Sequence, residues 1–226
     1  MAGRLKLRPA VWEADPTSNK IAKTGRVFSY RILFVRHGET AWNAENRLQG
    51  QHDIPLNPRG RAQASAVGRV LRARIPHDLT KLDRARAFVA SPLSRARETM
   101  ELMRAAMDLV PKSYRLDPAL MELTFGDWEG HTWSEVAARD PKGVRGRFAD
   151  KWNYVPPNGE SYAMLAERIK SWLAALSSDV VVVSHGGVAR ALMRLLAGEP
   201  EAKAADEPVV QGRALLFDRD GWRYCE

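Results

Sequence analysis

Two histidines and two arginines stand where apolar runs of this chain end. "RILFVRHGET" (31–40) carries an apolar stretch straight into Arg36, His37 and Gly38. "RAFVAS" ends at Ser91, with Arg95 shortly after, and "DVVVVSHGG" ends at Ser184, His185 and Gly186. A neutral imidazole is a nucleophile that can accept a phosphoryl group on nitrogen. Two guanidiniums present fixed donor forks that match non-bridging phosphate oxygens. Glycines directly after a strand allow close backbone approach, and a helix N-terminus offers free N–H groups to an anion. Phosphoryl transfer asks mainly for in-line positioning and stabilisation of charge on the equatorial oxygens. Two His and two Arg could supply that with no metal and no other cofactor. Each element alone is weak, since a histidine at a strand end is usually structural. Their shared position at strand ends carries the argument.

The elements that must position these groups are legible as patterns. "YRILFV" (30–35) reads as a buried strand, and so does "RAFVAS". Asn57 is placed to cap a helix with Pro58 at its first position, and Pro76 to stop it. "SRARETMELMRAAMDL" reads as a helix with Met100, Met103 and Met107 on one face, which is core packing rather than a cofactor box. In "NGESYAMLAERIKSWLAAL", Tyr162, Leu165, Ile169, Trp172, Leu173 and Leu176 share a helical face. "DVVVVSHGGVARALMRLLAG" is strand, turn and helix, closed by Gly198. "RALLFDRDGWRYC" reads as a hairpin turning at "RDG". Residues 111–158 read as a long irregular excursion with one short helix near "TWSEVAARD". Strands alternating with helices imply an α/β fold, here a three-layer α/β/α sandwich around a mostly parallel sheet. Ligands in such folds bind beyond the carboxyl ends of the strands.

Composition narrows the function classes. One cysteine, Cys225, rules out a disulfide framework and a cysteine-rich zinc site. No apolar run approaches the roughly 20 residues of a membrane helix, and the N-terminus lacks a signal-type apolar core. A cytoplasmic location is expected. The formal charge of +8 suggests nucleic acid at first sight, but half of it sits in residues 1–30, where six basic residues face two acidic ones. With no basic run interleaved with aromatics, neither a nucleic-acid nor a membrane partner is expected. Residues 1–29 are read as a basic tail, flexible or loosely docked, ahead of a single domain over 30–226. Oligomeric state is not legible.

The motifs "FVRHGETAWN", "LQGQHDIPLNPRGRAQA", "ASPLSRARETM", "LMELTFGDWEG", "PPNGES" and "VVVSHGGVARALM" occur in an order that resembles the histidine phosphatase superfamily, which includes the cofactor-dependent phosphoglycerate mutases. The resemblance covers about residues 31–217. It implies that His37 is the nucleophile that becomes phosphohistidine. It implies that Arg36, Arg95 and His185 hold the phosphate, with Gly186 beside them, and that Glu122 donates a proton to the leaving oxygen. Asn43, Gln49 and Gly50 match positions that line the pocket mouth. The implied activity is a metal-independent phosphomonoesterase acting on a small phosphorylated metabolite. The mutases carry a "NERHYG" pattern, whereas this chain has Leu123 and Thr124 at the corresponding places, and "FGDWEG" looks like the smaller phosphatases.

Several points stay open at this stage. Glu122 is either a general acid or paired with an arginine, and His185 is either a neutral ring or an imidazolium. Mutase-type transfer, or a catalytically silent binding protein on the same fold, are the alternative functions. His52 and His131 lie in loops near the motifs, His77 reads as surface, and Asp127 reads as a turn residue. Trp128, Trp133 and Trp152 either cover the pocket or pack.

Overall fold

A computed structural model describes residues 30–74 and 87–225. The expectations for the 1–29 tail, the Pro76 stop and His77 lie outside them. In chain order the elements are β1 (Ile32–Arg36), α1 (Ala41–Ala44), α2 (Pro58–Arg74), β2 (Phe88–Ala90), α3 (Ser94–Ala106), β3 (Arg115–Leu116), α4 (Trp133–Arg139), α5 (Pro141–Ala149), α6 (Tyr162–Ala174), β4 (Val180–Ser184), α7 (Gly186–Ala197), α8 (Glu201–Asp206), β5 (Ala214–Asp218) and β6 (Gly221–Cys225).

Side chains along β1 and β4 alternate between two apolar layers, so neither strand shows a period-two pattern in sequence. Ile32, Phe34, Val180 and Val182 join Leu165, Ile169 and Leu192 of α6 and α7 on one face. Leu33, Val35, Val181 and Val183 join Val67, Leu71, Met100 and Met103 of α2 and α3 on the other. The result is the expected α/β/α sandwich. The sheet order is β3-β2-β4-β1-β5-β6. The first four strands run parallel, and β5 and β6 form the antiparallel hairpin. Among the described residues no helix is long and apolar enough to cross a membrane. No group of three or more His, Cys, Asp or Glu among them could hold a metal ion.

Local signals hold in detail. Asn57 Oδ1 accepts from Gly60 N at 2.8 Å, capping α2. Gly198 ends α7 in the left-handed region at φ 68°. Met100, Met103 and Met107 are fully buried. Two expectations need correction. The first strand starts two residues later and ends one residue later than 30–35 suggests, so Arg36 belongs to it, held by pairing with Ser184. The 111–158 excursion carries more order than one short helix: β3 extends the sheet, and α5 follows α4 directly. Asp140 Oδ1 caps α5 through Gly143 N at 2.8 Å, with Pro141 at its first position. Leu48, Trp128, Val136 and Val144 form a third apolar cluster beneath these helices. Of the three tryptophans, Trp128 stacks on Tyr154 and Trp152 on Tyr162, each with ring centroids 5.6 Å apart.

The layer that carries Met103 supports α3, and α3 carries Arg95. Truncation by Met103→Ala should cost about 2–5 kcal/mol of stability, read as a lower urea midpoint. A loss under about 1 kcal/mol would mean that this layer is not the packed support described.

Candidate active site

Register places the polar groups. β4 lies between β1 and β2, with Arg36 opposite Ser184 and Ala90 opposite Val183. Just past these pairs, His37 N donates to Ser184 O (2.9 Å) and Ser91 N to Val183 O (3.0 Å). His185 therefore emerges between Ser91 and His37 at the carboxyl edge of the sheet. The His37 and His185 rings lie 5.1 Å apart, centroid to centroid.

Both histidines are buried. His37 Nδ1 lies 2.7 Å from Gly38 O. A carbonyl can only accept, so Nδ1 carries the proton and Nε2 keeps its lone pair. His185 Nε2 meets Ser91 Oγ at 2.7 Å. Ser91 Oγ also accepts from Leu93 N, at 3.4 Å. The hydroxyl proton is then free to go to Nε2, which leaves Nδ1 of His185 as the N–H donor. Burial first, then the charge of Arg95, holds both rings well below the ordinary 6.5. Each ring is neutral near pH 7.

The arginines are held by their tips. Arg95 Nη1 donates to His52 O (2.6 Å) and Nη2 to Gly50 O (2.7 Å), while Arg36 Nη1 donates to Val209 O (2.7 Å). Among the described residues, neither forms an ion pair with a carboxylate. Burial pulls Arg95 down to about 10, against the opposing charge of Glu122, and lowers Arg36 in the same way. Both remain cationic at neutral pH. Three buried nitrogens of this pocket have no hydrogen-bond partner among the described residues: Arg36 Nε, Arg95 Nε and His185 Nδ1. Buried donors of this kind are costly unless a ligand completes them. Four nitrogen-bearing side chains with a net positive charge suit a phosphate dianion.

Glu122 docks on the start of α7. Both its carboxylate oxygens lie 3.1 Å from Gly187 N, and Leu123 N donates to Oε1 at 3.0 Å. Its partners are amides rather than an arginine, although its charge acts on both Arg36 and Arg95. Gly186 opens α7, and a Cβ there would stand 3.3 Å from Arg190 Nη1 and 3.7 Å from Arg36 Nε. Gly50 supplies a carbonyl to Arg95. Asn43 and Gln49 are engaged locally: Asn43 Oδ1 receives Gln211 Nε2 (2.9 Å), and Gln49 Oε1 receives Thr40 Oγ1 (3.0 Å). His131 sits against Arg139, and Asp127 receives Asn158 Nδ2 in a turn.

Sequence reading missed four supporting groups. Ser91 orients His185, and Thr99 Oγ1 ties Gly38 N (3.0 Å) to Arg95 O (2.7 Å). The Val209 carbonyl anchors Arg36, and Glu129 organises the loop behind Arg95. Ser91, Thr99 and Glu129 all lie inside motifs already singled out, but no spacing rule marks a hydrogen bond between distant segments.

The fold and the pocket together define an α/β protein with two arginines beside two buried, neutral histidines at the carboxyl edge of its sheet. Residues 32–224 match the model of the histidine phosphatase superfamily, branch 1. The chain belongs to that family. It is 36% identical over 200 residues to a metal-independent phosphoserine phosphatase of Arabidopsis thaliana, covering 84% of this chain and 80% of the relative. It is 36% identical over 182 residues to a glucosyl-3-phosphoglycerate phosphatase of Mycolicibacterium vanbaalenii, covering 75% of each. The crystal structure of a putative alpha-ribazole-5'-P phosphatase from Escherichia coli superposes with a TM-score of 0.70 at 26% identity, covering 87% of this chain and 95% of that one.

Depressed histidine values have a consequence for stability. Below 6.5 the unfolded chain binds protons on these rings and the folded protein does not. Stability is therefore full above the unfolded value and is lost as pH falls toward the folded values. The melting temperature should drop from about pH 7.5 to about pH 5.5. A His37→Gln, His185→Gln double variant should flatten that slope. An unchanged slope in the double variant would contradict the assignment of buried neutral rings.

Proposed function

We propose that this protein is a metal-independent phosphomonoesterase that hydrolyses a small phosphorylated metabolite through a phosphohistidine at His37. The observation that carries this reading is the set of three unpartnered buried nitrogens beside a neutral His37 whose Nε2 is free. Phosphate oxygens complete Arg36 Nε, Arg95 Nε and His185 Nδ1, and the guanidinium charges offset charge on the transferring group. His37 Nε2 attacks phosphorus in line. The P–O bond breaks, and the leaving oxygen takes the proton of Glu122, which enters this step as the neutral acid. The Glu122 carboxylate then removes a proton from water as that water attacks phosphorus. The P–N bond breaks, inorganic phosphate forms, and His37 and protonated Glu122 are restored.

The cationic role is filled by guanidiniums, so no step is routed through a metal. The relatives named above support a small monoester: phosphoserine, glucosyl-3-phosphoglycerate and alpha-ribazole phosphate are chemically diverse alcohols carrying one phosphoryl group to be released. The pocket residues described here recognise that shared group. Discrimination among the alcohols falls to the 111–158 excursion, which supplies Glu122.

Turnover of p-nitrophenyl phosphate in the presence of EDTA tests the reading. Hydrolysis is expected, with vanadate as an inhibitor because it adopts the trigonal-bipyramidal shape of the transferring group. His37→Ala should lower kcat by on the order of 10³-fold or more with the fold retained. Full activity in that variant, or no turnover by the parent protein from about pH 5 to about pH 9, would contradict it. Primed conversion of 3-phosphoglycerate to 2-phosphoglycerate, faster than hydrolysis, would point instead to mutase chemistry.

A further inference from the structure

Glu129 is a buried carboxylate that the proposed chemistry does not use. Its side chain is 6% exposed, and among the described residues no lysine or arginine pairs with it. It is satisfied by four donors instead. Oε1 accepts from Gln51 N (3.1 Å), Thr124 Oγ1 (2.7 Å) and Phe125 N (2.9 Å), and Oε2 meets His52 Nδ1. These donors come from two loops distant in sequence. One, residues 50–52, holds the carbonyls that receive both tips of Arg95. The other, residues 122–125, begins with Glu122, and Gln51 Nε2 adds a tie to the Glu122 carbonyl at 3.0 Å.

Gly50 shows how tightly the junction is built. Its φ is +50°, and a Cβ there would stand 1.7 Å from Glu129 Oε1. The carboxylate thus occupies the space that a side chain at 50 would fill, and the backbone curls over it to aim its carbonyl at Arg95 Nη2. The negative charge of Glu129 also favours the cationic form of Arg95 across this loop. Among the described residues no carboxylate pairs with Arg95, so its orientation is only as definite as the 50–52 backbone.

We infer that Glu129 is a positioning residue for phosphate: by clamping residues 50–52 against residues 124–125 it holds the Gly50 and His52 carbonyls that aim Arg95 at the phosphoryl group. It touches no reacting atom. Its effect reaches the substrate through Arg95, and this separates it from a carboxylate that merely stabilises the fold. The inference rests on the phosphatase reading for its ligand.

A double-mutant cycle at 25 °C, with folded protein verified by circular dichroism, tests this. Vanadate inhibition and KM for p-nitrophenyl phosphate are measured for the parent, Glu129→Gln, Arg95→Lys and the double variant. Glu129→Gln should raise the vanadate inhibition constant about fivefold or more in the parent and less than about twofold in the Arg95→Lys background. Thr124→Val removes one of the four donors to Glu129, together with the acceptor of Gly126 N, and keeps the test alive if Glu129→Gln fails to fold. It should raise the same constant about two- to threefold with the same dependence on Arg95. Factors that multiply independently in the double variants, or a lowered melting temperature with unchanged inhibition, overturn the inference. A folded parent that neither turns over the substrate nor binds vanadate overturns the phosphatase reading itself, and this inference with it.

Discussion

Everything in this structure answers to one electrostatic constraint: two guanidiniums are buried beside two histidines and, among the described residues, no carboxylate pairs with either. Taking an ion out of water costs several kcal/mol even after relaxation. Here the offset is partial and comes from carbonyl dipoles. Val209 O holds Arg36, and Gly50 O and His52 O hold Arg95. Carbonyls fix direction without cancelling charge, so the pocket keeps a positive field for an anion. The same field, together with burial, keeps both imidazoles neutral. The reaction proposed for His37 asks for a neutral imidazole in a cationic field. Burial next to unpaired arginines delivers both at once.

The surrounding fold supplies the rigidity that such a site needs. Strands β1, β2 and β4 are covered on both faces, and their register leaves His37, Ser91 and His185 side by side. Backbone bonds from His37 N and Ser91 N continue the ladder just past the strands, so the reactive groups are fixed by sheet geometry rather than by flexible loops. Loops enter only to finish the pocket. The 50–52 segment brings two carbonyl acceptors to the edge, the 209–211 segment brings one, and the 122–129 segment brings Glu122. The cost of the unpaired charges is carried by the two apolar layers, where buried residues such as Phe34, Leu165, Met103 and Val183 are 0% exposed.

Much of this was legible in the sequence because its causes are local. A run of buried apolar residues announces β1 and β4. Asn57–Pro58 announces a helix start, and Gly198 announces a stop. The four groups at strand ends followed from the geometry of an α/β sheet, whose carboxyl edge collects them. What was not legible has causes that are distant in sequence. Helix α5 was hidden because Gly143 and Gly146 weaken its pattern. A Cβ at 143 would stand 2.0 Å from Asp140 Oδ2 and 2.7 Å from Tyr154 Oη, and one at 146 would stand 2.7 Å from the Tyr154 ring, so the helix cap and a later ring dictate them. Glu129 was overlooked beside Asp127 because its four donors come from residues 51, 52, 124 and 125, and no periodicity encodes that meeting. Ser91 was read as the end of a strand, although its hydroxyl decides which nitrogen of His185 can donate.

The central claim is that the phosphoryl group rests on His37 between substrate and water. Rapid mixing with an excess of phosphomonoester, an alkaline quench that preserves phosphohistidine, and ³¹P NMR with peptide mapping test it directly. The account predicts a phosphoryl group on Nε2 of His37, formed before inorganic phosphate accumulates. Label on another residue, or substrate turnover with no phosphoenzyme on a timescale shorter than one catalytic cycle, would contradict it.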